Sequence, residues 1–472
     1  MADVTAEHKG YADFEARACL VDDVCENRVK EKGDKYLPRR NPYDKGPANL
    51  SWYDQYKLRA IFFNATGYTR RGLVGAAFTK APVLEVPTAI DYAATDVDGS
   101  GNSIHQQARS VVSQVLGKGR NGLLVDYPAV MGPVTRAEMA ANYVRASILS
   151  IDGSRVINWK TTKVGGRHLL SLVVYKDDVE QDTPDGFGTD TVKQYRALRL
   201  IDGVYTVELY RKNEKDKWVL FDAYQPKRGN GSTWNIIPFI FVGAENNDPG
   251  IDEAPLYDLA CVNIGHYRNS ADVEHSGFFC GQVQPWASGI DQAYYEMLKE
   301  EGIHIGSSTL FPVPDGGQFG FAQAQPNMTS ENLMKAKEQQ MVAIGARLIT
   351  PGSAVKTATE AQSDNETEHS VLSLVVSNVS EAYTQCLEWM LDFMGASGVA
   401  GYQINQEFTK PYLGAQELMA LIAALQSGKY PESDFWAEMR RHGLIDPDKD
   451  DETIKDELET STAGLGLDDG EE

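Results

Sequence analysis

Three stretches of this 472-residue chain carry residue types at spacings that suggest chemistry. Asp96-Val97-Asp98-Gly99-Ser100-Gly101 matches the opening of a calcium loop, with carboxylates at alternate positions and a glycine sixth for the tight turn around an oxygen-bound ion. Position twelve is Gln107 instead of a bidentate glutamate. The stretch after Pro87 makes no convincing entering helix either, so the segment reads as a turn into a helix over about 103–116, with Ser103 as its cap. Residues 117–122 fit G-x-G-x-x-G. A phosphate site needs that loop after a strand and before a helix. Here a helix precedes it and Leu123-Leu124-Val125 follows, which predicts a helix-to-strand turn. His266 and His275 stand nine residues apart on one helix, about 180° out of phase, and cannot share a metal; Asp272 only neighbours His275. There is no G-x-S-x-G, no H-E-x-x-H, no Walker lysine and no convergent Cys/His set. The chain is therefore expected to have no catalytic residue, cofactor or metal; any ATP-driven motor would be another protein.

The elements that would position such residues are more informative. Pro255, preceded by Asp252 and Glu253, opens a helix carrying Leu256, Leu259, Ala260, Asn263, Tyr267, Ala271 and Phe278 and ending near 277–281. A small α/β excursion follows, with a helical run over 291–301 and a β-prone stretch over 308–313. A second helix, capped by Thr329 or Ser330, runs to about 349 with Leu333, Lys337, Met341, Ile344 and Leu348 on one side; Pro351 and Gly352 stop it. Residues 350–367 lack apolar periodicity. A long amphipathic helix then carries Val371, Val375, Val379, Ala382, Tyr383, Cys386, Met390 and Phe393. An excursion on two helices projects from its parent body, and such an architecture lines or grips something instead of enclosing a small substrate.

Upstream, apolar residues between Trp52 and Phe78 are broken by Asn64-Ala65-Thr66-Gly67, which predicts two helices with a turn; Arg59, Arg70, Arg71 and Lys80 read as a solvated face. Segments over 167–175, 192–201, 204–212, 218–224 and 236–242 predict an antiparallel sheet or small barrel, with Asp202-Gly203 as a hairpin turn. Downstream, helices over 415–427 and from Pro431 to Gly443 form a small cap. Beyond Ile445 the acidic composition predicts a loosely ordered tail.

Composition constrains function. At 42% hydrophobic residues the chain can bury several cores, and five scattered cysteines indicate neither disulfides nor zinc. A reducing compartment fits. With no signal-like N-terminus and no apolar run of about 18 residues, a soluble, cytosolic protein without membrane contact is expected. A net charge of −22 argues against tight electrostatic binding to nucleic acid. It is compatible with letting DNA slide past a repelling wall. Lys335, Lys337, Arg347 and Lys356 are isolated cations that would touch it.

The segments AIFFNATGYTRRGLVG (60–75), GLLVDYP (122–128), IPFIFVGAENN (237–247), PLYDLA (255–260), HYRNSAD (266–272) and GARL (345–348) resemble, in order and wording, a tailed-bacteriophage portal family often described only as a domain of unknown function. The resemblance spans about 52–443. It implies an α+β portal fold: a wing over 1–253, helical and then β-rich from about 150, stem helices over 254–279 and 329–349, and a clip over 280–328. A tunnel loop over 350–367, a long wing helix over 368–394, a short helical crown over 395–445 and an acidic tail over 446–472 complete it. The implied function is a dodecameric ring at the capsid vertex of the virion, assembled in the host bacterial cytoplasm. The ring conducts double-stranded DNA during packaging and ejection and connects head to tail. Implied partners are the terminase large subunit, a head-tail adaptor protein, the major capsid protein and the scaffold protein. Lys335, Arg347, Lys356, Thr357 and Thr359 would line the DNA channel. Two readings from other classes stand beside it: a metal-dependent hydrolase of phage DNA maturation, and a monomeric calcium-binding adaptor.

Overall fold

The first helix, α1 (Tyr11–Cys25), is one that none of the expected elements covers. Its acidic residues mask a buried stripe of Tyr11, Phe14, Ala18 and Val21 at three- and four-residue spacing. Two more helices follow, α2 (Pro47–Arg59), with proline at its start, and α3 (Ala65–Ala77). The break between them is residues 60–64. Asn64 caps α3 by accepting from the Gly67 N–H at 2.8 Å, so Ala65-Thr66-Gly67, read as part of the interruption, form the first helical turn.

A short strand β1 (Val83–Glu85) leads to α4 (Ile104–Lys118), opened by a full capping box between Ser103 and Gln106. Gly119 closes α4 in the left-handed region (φ 76°), and β2 (Arg120–Asp126) begins at once. The glycine-rich motif is thus the helix-to-strand turn its order indicated. Gly119 is required twice over, since a Cβ there would also lie 2.6 Å from the Asp252 carbonyl oxygen.

The structure, a computed structural model, describes residues 3–128, 144–183, 185–301, 313, 315–325, 328–348, 370–406, 408, 415–427, 429–441, 444–446 and 449–463. It is α+β. Next come β3 (Ser147–Asp152), β4 (Val156–Val164), β5 (Arg167–Lys176), β6 (Val179–Asp182), β7 (Thr189–Val192), β8 (Gln194–Ile201), β9 (Val204–Lys212), β10 (Trp218–Tyr224) and β11 (Phe239–Gly243). Five of them form an antiparallel sheet in the order β10-β9-β8-β5-β4, and Asp202-Gly203, both at positive φ, makes the β8–β9 hairpin. The stretch 236–242, expected in that sheet, instead yields β11, which pairs with β2 in a separate antiparallel sheet β11-β2-β3. α1 covers the larger sheet through Tyr11, Phe14, Ala18, Ile157, Val174 and Ala197.

Helices α5 (Tyr257–Cys280), α6 (Gln292–Glu301), α7 (Met328–Arg347) and α8 (Val371–Met394) follow, with β12 (Gln284–Ser288) and β13 (Gln318–Ala322) among them. Ser370 caps α8, and its expected stripe is buried from Val375 to Phe393, while Val371 at its start is exposed. Tyr383 donates to Gln107 of α4 at 3.0 Å and Asn378 to the Gly243 carbonyl at 3.0 Å, so α8 joins the helical and β parts. β14 (Gly401–Gln403) pairs with β1.

The chain divides into two compact units, Met1–Asn405 and Gln406–Glu472. The second holds α9 (Ala415–Gln426), α10 (Glu432–Arg441) and α11 (Asp451–Ala463), with Trp436, Met439 and Ile454 buried. Over residues 451–463, α11 corrects the expectation of a loosely ordered tail, and residues 464–472 lie outside the described residues. Asp450 caps it through the Thr453 N–H, acids in its first turn complement the dipole, and Arg440 and Lys449 pair with Asp451 and Glu457. Gly428 and Gly443, the expected helix stops, lie outside the described residues.

Lys118 is buried between Asp22 (2.9 Å) and Asp152. Burial is the largest single influence on both and opposes their charges, yet the partners together outweigh it: the ammonium is raised and the Asp152 carboxyl lowered from their usual values. Lys118→Ala should destabilise the fold by about 3 kcal/mol in urea titrations, since it takes the buried cation away from two half-buried carboxylates. In the parent protein the Asp152 contribution is complete above about pH 4 and is lost as pH falls through the lowered folded value. The variant should show a shallower loss over that acid limb.

Candidate functional site

The clearest functional feature is a pair of long helices carrying a module at their far end. α5 has 24 residues and α7 has 20, about 36 and 30 Å at 1.5 Å per residue. Pro255 sits in the turn before α5, two residues ahead of the helix start. α7 begins at Met328, ahead of both residues expected to cap it.

The two helices pack side by side through mixed polar and apolar contacts. Lys337 donates to Asn269 at 2.6 Å, and its stem crosses Gly265, where a Cβ would lie 2.9 Å from Lys337 Cε. His266 Nε2 meets Glu338 Oε1 at 3.2 Å. Of the α7 stripe, Met341 and Leu348 are buried and Ile344 half-buried, whereas Leu333 is exposed and Met334 takes its place. On the opposite side Ala336, Gln339, Gln340, Ala343 and Arg347 are exposed.

α5 is held to the body by a buried amide. Asn263 Oδ1 accepts from the Thr66 N–H (3.1 Å) and hydroxyl (3.0 Å), while its Nδ2 donates to the Phe63 carbonyl at 2.8 Å. Tyr56 donates to Asp272 at 2.6 Å; burial first, and that carboxylate second, push the phenol well above its usual range. Beyond Ala271 the helix leaves its cover. Phe278, expected within the buried stripe, is exposed, with the Arg59 guanidinium 3.6 Å over its ring.

At that end β12 and β13 form an antiparallel ribbon, Gln284 opposite Ala322 through Ser288 opposite Gln318. Gly320 stands opposite Trp286, where a Cβ would meet the indole at 3.0 Å. The ribbon's root is tied to α5, with Gln323 Nε2 donating to the Cys280 carbonyl at 2.9 Å and the Cys280 thiol to the Gln325 carbonyl at 3.2 Å. Trp286, Tyr295 and Phe321 are exposed. β13 was not foreseen, although its Phe319-Gly320-Phe321 alternation is a strand signal; of the stretch expected to be β-prone, residues 308–312 lie outside the described residues. At the other end of α7, Leu372 N–H donates to the Leu348 carbonyl at 3.2 Å, so the chain leaves α7 and re-enters at α8 from one point.

Of the expected channel residues, Lys335 is exposed and paired with Glu331 at 2.8 Å, and that contact raises its ammonium. Arg347 is exposed with no ion pair among the described residues. Lys356, Thr357, Thr359 and the expected tunnel loop lie outside them. The calcium-like loop uses its own carboxylates: Asp96 accepts from the Gly99 and Gly101 N–H groups and pairs with Arg145, and Asp98 accepts from Ser100 and Asn102. His275 packs edge-on against Trp52 and Tyr56. All five thiols are free. Among the described residues no cluster of three or more His, Cys, Asp or Glu could hold a metal, and no helix is long and apolar enough to cross a membrane.

Residues 255–394 match the model of a domain of unknown function, DUF4055, over less than a third of the chain. No curated protein matches. Among solved structures, the chain is similar to a chain from the neck of a native GTA particle computed with C12 symmetry, at 13% identity over 78% of this chain and 88% of that one, with a TM-score of 0.41. A chain from the neck of an empty GTA particle computed with C6 symmetry gives 14%, 83%, 93% and 0.41, and one from the virion of a native gene transfer agent particle 13%, 88%, 97% and 0.40. Likenesses at these scores carry no weight for function.

Asn263→Ala would strand the Thr66 N–H and hydroxyl in a buried site, while the Phe63 carbonyl keeps the Ala65 N–H at 2.9 Å. A loss of about 2–3 kcal/mol in chemical denaturation is expected, against about zero for Lys335→Ala, which removes only an exposed pair.

Proposed function

We propose that this chain is a portal protein: copies close into a ring whose hole passes double-stranded DNA during packaging and ejection, and whose projecting module docks the packaging terminase and later a head-tail adaptor. The observation that carries the reading is the α5–β12–α6–β13–α7 projection. It is two adjacent helices rooted in the body by Asn263, tipped by a ribbon with exposed aromatics, and returned to α8 at the Leu348–Leu372 bond. That succession is the one the sequence resemblance implies for stem, clip, stem, loop and wing helix. In this reading α1 to β11 form most of the wing, residues 395–445 the crown and 446–472 the acidic tail.

The chemistry suits conduction better than capture. The free side of α7 offers alanines and glutamines, which neither grip nor repel phosphates strongly, and Lys335 is neutralised by Glu331. A chain at −22 repeated around an axis gives a wall that repels the duplex, leaving Arg347, with Lys356, Thr357 and Thr359 in the loop, as the points of contact. The sliding path is then a repelling tube with sparse cationic rings. Partners on the capsid side, the major capsid and scaffold proteins, would meet the wing and crown in the virion.

Negative-stain images of the purified full chain should show closed rings with a central hole; a protein that stays a single subunit under every assembly condition sinks the reading. Arg347→Glu and Lys356→Glu should leave rings intact while DNA retained per particle falls severalfold. Divalent-metal-dependent DNA cleavage by the purified chain would instead favour the hydrolase.

A further inference from the structure

A groove of about 840 Å3 runs between α3, α5 and α7. Its walls are apolar, with Ile61, Phe63 and Val342 all exposed, the last at 73%. Its polar lining is acidic in character: Glu274 has no ion pair among the described residues, Glu338 touches His266 and lies in the field of Lys335, and His266 Nδ1 is buried without a hydrogen-bond partner. Such a surface fits an aromatic side chain accompanied by cations. An apolar patch of this kind left open on a projecting helix pair marks an interaction site.

The chain itself presents a knob of that chemistry. Between Leu37 and α2, Tyr43 stands 93% exposed, flanked by Arg40 and Lys45, neither with an ion pair among the described residues. The knob is held in shape. The Tyr43 N–H donates to Asn41 Oδ1 (3.2 Å), Asn49 Nδ2 donates to the Asn41 (3.0 Å) and Asp44 (2.6 Å) carbonyls, and the Gly46 N–H donates to Asp44 Oδ1 (2.8 Å). A pre-shaped aromatic anchor loses little freedom on docking. The other conspicuous protrusion, Phe187 at the β6–β7 tip, is flanked by Asp182, Asp185 and Asp190 and would bring acid to acid.

Knob and groove lie at opposite ends of α2, whose thirteen residues span about 20 Å, so the knob adjoins the start of the helix and the groove its end. We propose that the groove seats the 40–45 knob of a second copy of this chain, with Tyr43 entering beside Phe63 and Val342 and the cations of Arg40 and Lys45 meeting Glu274 and Glu338. Two different surfaces meet, so the contact is head-to-tail and propagates around a ring. It also gives strongly acidic subunits a local attraction against their mutual repulsion. The inference rests on the ring reading for its closure.

The test places photo-crosslinking benzoylphenylalanine at Val342 of the full chain, an exposed position that does not threaten the fold. Irradiation under assembly conditions should give covalent dimers and a ladder on denaturing gels, with the linked peptide mapping to residues 40–45 of another copy. Rings in negative stain with crosslinks to any other segment, of the same or another chain, overturn the knob contact and leave the ring reading standing. Absence of any assembly overturns both. Independently, Arg40→Glu and Glu274→Lys should each weaken self-association about tenfold, and the double variant should recover most of it; no recovery counts against the pairing.

Discussion

The projecting part of this molecule depends on how one buried amide is satisfied. Residues 60–64 turn the chain between α2 and α3 against α5, and the turn leaves a backbone donor at Thr66 and an acceptor at Phe63 facing the interior. Asn263 supplies both partners from the second turn of α5. Because α5 is also held by Tyr56 on α2 and by Arg268 to the Tyr36 carbonyl, its direction is fixed over its first two-thirds. α7 takes its direction from α5, and the β12–β13 ribbon takes its own from both. A cantilever of this kind holds its tip steady only if its root is rigid.

Charge is distributed to match. Several cations near the body are spent on internal pairs: Lys118 on two aspartates, Arg196 on Asp126 and Asp177, Arg70 on Glu26. Arg120 is buried between Trp159 and Phe241, donating to the Pro249 carbonyl. Arg347, Arg40 and Lys45 are among the exposed cations with no ion pair among the described residues.

Much of the fold was legible because its signals are local. Ser103 with Gln106, the Asp202-Gly203 turn, the glycine that ends α4 and the stripe of α8 are each decided within a few residues of chain, and each stands where local chemistry put it. What stayed hidden depends on distant partners. α1 was invisible because acids interrupt its stripe and its cover comes from β4, β5 and β8. β11 was assigned to the wrong sheet because strand propensity names no pairing partner. The acidic helix α11 was missed because composition registers repulsion but not the Arg440 and Lys449 partners that relieve it.

The sequence by itself determined most of the succession from α5 to α8 and the absence of recognisable catalytic motifs, since periodicity and caps are properties of neighbours along the chain. Tertiary structure alone decided that Leu333 and Phe278 face outward while Met334 faces the groove, and that Ile61, Phe63, Glu274 and Val342 converge. Helical spacing gives a side chain its angle around its own axis. Only the packing of a second helix against the first says which angle is inside.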